Sequence, residues 1–513
     1  MSHVKLAFLL LFSFPYYFLY SDDLETYEVI TVVSAIPVTQ DKVVIAIDQI
    51  DRRFIDNTLP KNFSSLLRES LAIDVSSNGG MGQLSSMFLR GSNSNHTLVK
   101  VNGIKINPGT AGGASIYNLD SELISSIEIG YGSLSALHGS TALGGVVEIS
   151  TKPQDTDLKS FGLNIGPDDF NKKFFKYNQG ALRNGYFGIS VSETKTDGFP
   201  SLSNSTLDRG YENSTIITNL EINSEIVELK FSSWLAEGSI EYLVFGAPVS
   251  QDYENYAYGA ELRNDIKDSF SYKINLSSSK DLIQQNDVNF LNQIDITDTT
   301  RNYLEILLTD FDFFPKPEKF VFGFNVENED VDYSSYGTVY RKEILTKSIF
   351  GSASANLFNS TLNSSFRKTD HEIYKSNLSW NIEILKEFKR WIVGASNGSS
   401  FRSPVSSELY GFGGNLLLQP EINKSTEINI KKIQQDSILG FAFFKNDFTN
   451  LITFDYQDYV LRNINQSSNK GMEVRYKLSR ESWDLLMILR TQDPKDELGK
   501  QLLRRSKKSG SLT

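Results

Sequence analysis

Side chains that do covalent chemistry are scarce in this chain. It holds no cysteine and four histidines, His3, His96, His138 and His371. That excludes disulfides, thiolate metal sites and a cysteine nucleophile, and it leaves little material for a histidine-rich metal centre, so no metal ligands are assigned. His371-Glu372 lacks a second histidine at zincin spacing, and no Gly-Lys-Ser/Thr loop is present to cradle a phosphate. No constellation of acid, base and nucleophile emerges, and the chain reads as a non-enzyme. What it offers is non-covalent recognition. In Asn78-Gly79-Gly80-Met81-Gly82-Gln83-Leu84-Ser85 and in Asn107-Pro108-Gly109-Thr110-Ala111, continuing to Ser115, glycine lets backbone approach a bulky ligand while Asn, Gln, Ser and Thr present donors and acceptors. The plainer alternative is two solvent-exposed turns. A formal net charge of -11 argues against nucleic acid as a partner.

Two regions of different texture must position these residues. Lys5 followed by the apolar run Leu6 to Phe12, an aromatic stretch to Tyr20, and Ser21-Asp22-Asp23 predict a signal peptide over residues 1–21. The alternative is a single membrane anchor, for which the run is short and broken by Pro15. No later stretch is long and apolar enough for a helical span. Residues 36–152 predict an α+β unit: a strand at 43–46, a helix at 62–71 from the spacing of Leu66, Leu67 and Leu71, and a strand Thr97–Val101 entering the turn pair Asn102-Gly103. From 153 to 513 the texture is all-β. Within 186–192, Phe187, Ile189 and Val191 alternate with Gly188, Ser190 and Ser192, and 226–231, 439–443 and 485–489 are further strand candidates. Alternation alone does not separate a water-soluble sandwich from a transmembrane barrel, whose apolar face points outward to lipid.

The order of motifs carries a resemblance. The stretch 78–85 runs through Ser86 to Phe88-Leu89-Arg90-Gly91; Asn93, His96, Asn102-Gly103 and the 107–113 loop follow, then Ile127-Glu128-Ile129 and Ala142-Leu143-Gly144-Gly145-Val146-Val147-Glu148-Ile149. This resembles the plug of TonB-dependent outer-membrane receptors and, within them, the cobalamin-receptor group. Phe401-Arg402-Ser403-Pro404, Glu408-Leu409-Tyr410-Gly411, Leu418-Gln419-Pro420-Glu421 and Lys470-Gly471-Met472-Glu473 are similar to the family's late barrel strands. The resemblance implies an all-β transmembrane barrel, with 22 strands in the family and about sixteen here, around an N-terminal α+β plug. It places 22–35 as a periplasmic segment, 36–152 as the plug and 153–513 as the barrel, in the lipid of a bacterial outer membrane. Its function would be TonB-coupled import of a corrinoid. A ferric siderophore or another metal chelate is the alternative ligand, and a non-transporting adhesin or signalling receptor the alternative of another class.

Residue roles follow from the same resemblance. Val29-Ile30-Thr31-Val32-Val33-Ser34-Ala35 is similar to the TonB box, a β-branched run able to pair with a partner's strand through its main chain; a buried plug strand is the alternative. The loops 78–85 and 107–111 become the ligand contacts. Arg90 becomes a plug–barrel latch with Glu427 and Glu473 at the matching wall positions. Tyr131 stands where the family has a second arginine, so two carboxylates are expected to share one guanidinium. His138 is expected to be a packed plug residue. No cofactor is expected, and calcium, which needs several oxygen ligands, is expected to bind weakly at most: Asp197 and Asp208 match part of the group's acidic loops, while 242–245 lacks the acidic pair. The match runs out before the family's last strands, which predicts a fragment or frameshifted product, or else a narrower closed barrel.

Overall fold

The computed structural model describes residues 30–31, 38–39, 43–153, 157–180, 184–203, 205–244, 247–266, 270–287, 294–309, 319–335, 337–434, 436–480 and 483–513. The predicted signal peptide lies outside them. Of the TonB-box stretch, Val29 and Val32 to Ala35 also lie outside; Ile30–Thr31 pairs antiparallel with Val38–Thr39.

Residues 43–150 form the α+β unit. Its five-stranded sheet runs in the order Ile47–Asp51, Ser126–Tyr131, Gly145–Ser150, Thr97–Val101, Ile104–Lys105, and only the Thr97–Val101 and Gly145–Ser150 pair is parallel. The helix predicted at 62–71 is Phe63–Leu71. Asn62 is its N-cap and completes a capping box with Ser65, which satisfies two otherwise orphaned donors. It buries Phe63, Leu66, Leu67 and Leu71 against Ile50, Ile73 and Ile127, at roughly 1.5–3 kcal/mol for each large apolar side chain. Asn102 and Gly103 both take positive φ at the hairpin turn, 50° and 81°, as a tight two-residue turn requires.

The strand predicted at 43–46 does not form. This segment runs along the barrel wall instead, where wall side chains take the place of a strand partner: Lys431 Nζ donates to the Val43 carbonyl (2.7 Å) and Ala46 N–H donates to Glu427 Oε1 (2.8 Å). Val44 packs on Leu385 and Ile392.

Among the described residues nineteen strands from Lys159 onward form one antiparallel sheet around this unit, more than the sixteen or so the sequence suggested; up to Asp484–Gln492 each pairs with the next, while Lys495–Asp496 pairs back with Val460–Ser479 and Lys508–Leu512 with Asp484–Gln492. Of these, Lys495–Asp496 is too short to show an alternation, while Lys508–Leu512 alternates exposed and half-buried residues. Among the described residues no ladder joins the first strand, Lys159–Ile165, to Lys508–Leu512. The faces decide between barrel and sandwich. In Lys375–Phe388, Leu378 and Ile384 are 64% and 51% exposed on the outer face, while Ser379, Glu383 and Leu385 are buried inside. Strand Glu421–Gln434 repeats this, with Glu421, Asn423 and Glu427 inward and Ile428 outward. Polar residues inside and apolar ones outside suit a wall in lipid. Strands of up to 20 residues, such as Ala247–Ile266, exceed the ~9–11 needed to cross a bilayer.

Candidate functional site

The plug lies with opposite features at the two ends of the cylinder. Its leading segment sits at the end where Arg53 meets Asp484, the first residue of strand Asp484–Gln492, and a cavity of about 490 Å³ opens there next to Ala46, Asp48 and Arg475. The loops 78–85 and 107–111 sit at the other end, the first against Phe199 and Tyr211 and the second under the loop at 403–410.

Between these ends lies Arg90. It occupies the turn after strand Ser85–Phe88 with a left-handed backbone (φ 45°), followed by Gly91 (φ 81°). A Cβ on Gly91 would fall 2.8 Å from the Asn469 side chain, so glycine is what lets the turn pass this close to the wall. The Arg90 guanidinium donates from Nη1 to Glu427 Oε2 (2.6 Å) and, bidentately, from Nε and Nη2 to Glu473 Oε1 and Oε2 (3.1 and 2.7 Å). All three side chains are buried. The structure thus brings the three residues together. It corrects the expectation that one guanidinium serves two carboxylates: Glu473 also receives Arg475 and Arg490, each at 2.6 Å, and Arg475 reaches Asp48 of the plug at 2.5 Å. Three guanidinia meet three carboxylates, so the buried cluster is neutral.

Tyr131 holds the middle of that cluster. Its hydroxyl donates to Asp48 Oδ2 (2.5 Å), and Arg90, Arg475 and Arg490 lie 4.8, 5.2 and 5.6 Å from its ring centre, within the range of cation–π attraction. Burial, reinforced by Asp48, raises the Tyr131 phenol well above its ordinary pKa. For Arg90, burial alone would lower the guanidinium, but Glu427 and Glu473 outweigh it and hold the group above its ordinary value. Removing one partner of such a network leaves a buried charge unmatched, at about 3–5 kcal/mol.

The sequence-predicted ligand residues divide. Gln83 is buried and its Nε2 donates to the Glu241 carbonyl (2.6 Å), tying the loop to the wall. Ser85 is buried, donating to the Gln83 carbonyl (3.0 Å). Gly82 takes φ 73°, and a Cβ there would fall 2.1 Å from the Tyr211 ring. Asn107 is fully engaged inside the plug: its Oδ1 accepts from Val99 N–H, and its Nδ2 donates to the carbonyls of Thr97 and Gly112. Pro108, Gly109 and Thr110 are buried beneath Ser406 and Ser407, whose hydroxyls donate to the carbonyls of Gly109 and Thr110. Gln83 and Asn107, expected to present their amides to a ligand, engage them in this structure with the wall and with the plug backbone, respectively. Asn78, Gly79, Leu84 and Ala111 are exposed, and Gly80 and Met81 half-buried.

A second buried link joins plug and wall nearer the loops. His96 Nδ1 accepts from Asn93 N–H (3.1 Å), so the ring's proton sits on Nε2 and faces Glu421 Oε2 (3.0 Å). Glu421 is also paired with Arg402, which grips Glu408 bidentately (3.0 and 2.9 Å). Glu408 belongs to the short helix Ser406–Tyr410 that covers loop 107–111.

Comparison with known proteins fits this architecture. Residues 39–146 match the family described as TonB-dependent Receptor Plug Domain, and residues 144–513 the family described as TonB dependent receptor-like, beta-barrel. The chain belongs to the TonB-dependent receptor family. The receptor is a bacterial outer-membrane protein, in a family of transport receptors. Among curated proteins it is similar to the vitamin B12 transporter BtuB of Vibrio vulnificus, 25% identical over 97% of this chain and 83% of the relative, and to that of Photobacterium profundum, 26% identical over 91% and 78%. Among solved structures it is similar in fold to the siderophore receptor PirA from Acinetobacter baumannii (TM-score 0.73, 15% identity, 90% of this chain and 82% of that one). It also resembles the ferripyoverdine receptor of Pseudomonas aeruginosa (TM-score 0.77, 14% identity, 94% and 75%).

Sequence reasoning missed Asp48, Arg475 and Arg490 of the receptor. Arg475 stands two residues after Glu473 on one strand, and the period-2 rule puts both on the inner face. Arg490 is the direct cross-strand partner of Glu473, a register no local signal announces. Asp48 lies in a plug strand, and nothing in its neighbours marks it.

Proposed function

We propose that this receptor captures a corrinoid at the loop-bearing, extracellular end of the barrel and releases it to the periplasm when TonB pulls on residues 29–35. The observation that carries this reading is the neutral, buried cluster of Arg90, Asp48, Glu427, Glu473, Arg475 and Arg490. The Ala46 amide ties the leading segment to Glu427, which holds Arg90, and Asp48 ties it to Arg475, which pairs with Glu473. A pull on that segment is therefore delivered first to the cluster, which serves as a latch. The relatives named for vitamin B12 transport support the corrinoid. Its contacts in the loops are Asn78, Gly79, Gly80, Met81, Leu84 and Ala111, the members left open to the lumen.

A ferric siderophore is the second reading, favoured by aromatic surface near the apex: Tyr333 and Tyr340 stack at 4.8 Å, Tyr410 lies 5.6 Å from Tyr340, and Lys342 sits over Tyr410. The deciding experiment measures equilibrium binding of cobalamin and of ferric catecholate and hydroxamate chelates to purified receptor. Uptake is then followed in cells lacking other receptors for them, with residues 29–35 intact or replaced by Gly-Ser. Cobalamin binding with uptake that needs the box supports the corrinoid reading; binding of a ferric chelate alone overturns it.

A further inference from the structure

Away from the Arg90 cluster, the hairpin of Thr97–Val101 and Ile104–Lys105 meets the wall at Lys105, paired with Glu327, and at its turn, where Asn102 reaches Asn219. Between it and the inner face of strands from Tyr211–Asn223 to Ile294–Thr309 lies a cavity of about 360 Å³, at the lower end of the ~300–1,000 Å³ typical of ligand sites. A smaller cavity of about 80 Å³ lies nearer the apex, beside Pro108, Gly109 and the loop at 403–405. The two share five residues, Lys105, His138, Arg301, Tyr303 and Glu327, which make up the partition between them.

The partition is built to part. Lys105 contributes the plug's ion pair, to Glu327 Oε1 (3.2 Å), and Arg301 binds the plug through the Asn107 carbonyl (2.6 Å). If the plug withdraws here, Glu327 and Glu329 share the guanidinium of Arg301, so each keeps a cation in contact, unlike Glu427 on the other flank. Ile104–Lys105 is an edge strand held by two residue pairs, and a Cβ built on Gly103 at the turn meets nothing within 4 Å.

We propose that the ligand crosses the receptor along this flank, lodging in the 360 Å³ cavity behind Ile104–Lys105, with Lys105, Glu327 and Arg301 as the gate. The inference rests on the transport reading above and deepens it. The cavity lining has six cationic side chains against five carboxylates, a near balance that suits a neutral molecule rich in hydrogen-bonding groups better than a strongly anionic chelate. A corrinoid is larger than the resting cavity, so passage requires the hairpin to swing away.

The absence of native cysteine makes a cross-linking test clean. Asn102 at the hairpin turn faces Asn219 on the wall, Nδ2 to Oδ1 3.4 Å. An Asn102→Cys, Asn219→Cys receptor joined by a short, reducible thiol cross-linker is compared with a Ser70→Cys, Ser511→Cys control, which ties the plug elsewhere (Ser511 Oγ to the Ser70 carbonyl, 3.0 Å). The expected result is loss of more than nine-tenths of cobalamin uptake with the first link, binding retained, recovery on reduction, and uptake retained with the control. Unchanged uptake with the first link, or loss with both, overturns the route. A receptor with neither link that imports no cobalamin overturns the transport reading itself. As a measurement without any cross-link, Ser277→Cys in the cavity wall is expected to react with a soluble thiol reagent severalfold faster during transport than at rest; an unchanged rate contradicts the gate.

Discussion

The plug meets its barrel on two flanks that differ in kind. On one, the side chains of Asp48 and Arg90 enter a buried cluster in which each charge has a partner, and among the described residues Arg90 of the plug is the cation paired with Glu427. On the other, the Thr97–Lys105 hairpin faces a cavity, and Glu327 and Glu329 of the wall each pair with Arg301 of the wall, Lys105 adding a second cation at Glu327. The contrast teaches where a pull can do work. Breaking the first flank takes from Glu427 the cation it pairs with, at a cost of several kcal/mol; opening the second leaves Glu327 and Glu329 both in contact with Arg301. One flank is suited to hold and the other to yield.

The largest expected effect falls on the holding flank. Arg90→Ala leaves Glu427 without its cation and is expected to destabilise the docked plug by about 3–5 kcal/mol, read by denaturant unfolding of purified receptor. Adding Glu427→Gln is expected to recover part of that loss, and a double variant no more stable than Arg90→Ala would show that the stranded charge is not the cause. Next comes the apex. Gly82→Val forces a β-branched residue into φ 73° with its Cβ against Tyr211, a strain of roughly 1–3 kcal/mol, and equilibrium binding is expected to weaken about tenfold or more.

A pH effect sharpens the comparison further. Asp120 of the plug pairs with Lys172 of the wall at 2.6 Å; burial pushes its pKa up, but Lys172 and hydrogen bonds outweigh that and hold it below the ordinary carboxylate value. A depressed folded-state pKa stabilises above the unfolded value, about 3.9, and the contribution fades as pH falls through the folded one. Asp120→Asn is therefore expected to flatten the acid limb of the stability profile and to leave stability above neutral pH lower. An identical acid limb would remove this pair from the list of plug anchors. The smallest effect concerns calcium: chelation is expected to change cobalamin affinity by less than about twofold, since Asp197 and Asp208 fall short of the many oxygen ligands calcium takes.

What was legible in the sequence was local. Asn62 and the leucine spacing after it announced a capped helix, Asn102-Gly103 announced a hairpin, and alternation announced strands. Arg90 and its carboxylates were reachable through resemblance, across separations of 337 and 383 residues. The rest depended on contacts that no local pattern encodes. Residues 43–46 look like a strand because they are apolar and β-branched, yet their partners are Lys431 and Glu427 of the wall. Asn107 looks like a ligand contact because it is polar within a glycine-rich loop, yet three backbone groups of the plug claim its amide. Arg490 enters the latch only because its strand pairs in a register that sets it opposite Glu473.

Amide hydrogen exchange across the plug tests the division of labour between the flanks most directly. With Glu427→Gln and Glu473→Gln together, exchange at Ile47–Asp51 is expected to accelerate by about a hundredfold or more, since the latch is worth several kcal/mol. Thr97–Val101 should stay close to the parent rate. Equal acceleration in both segments, or none in either, would contradict the assignment of holding and yielding flanks.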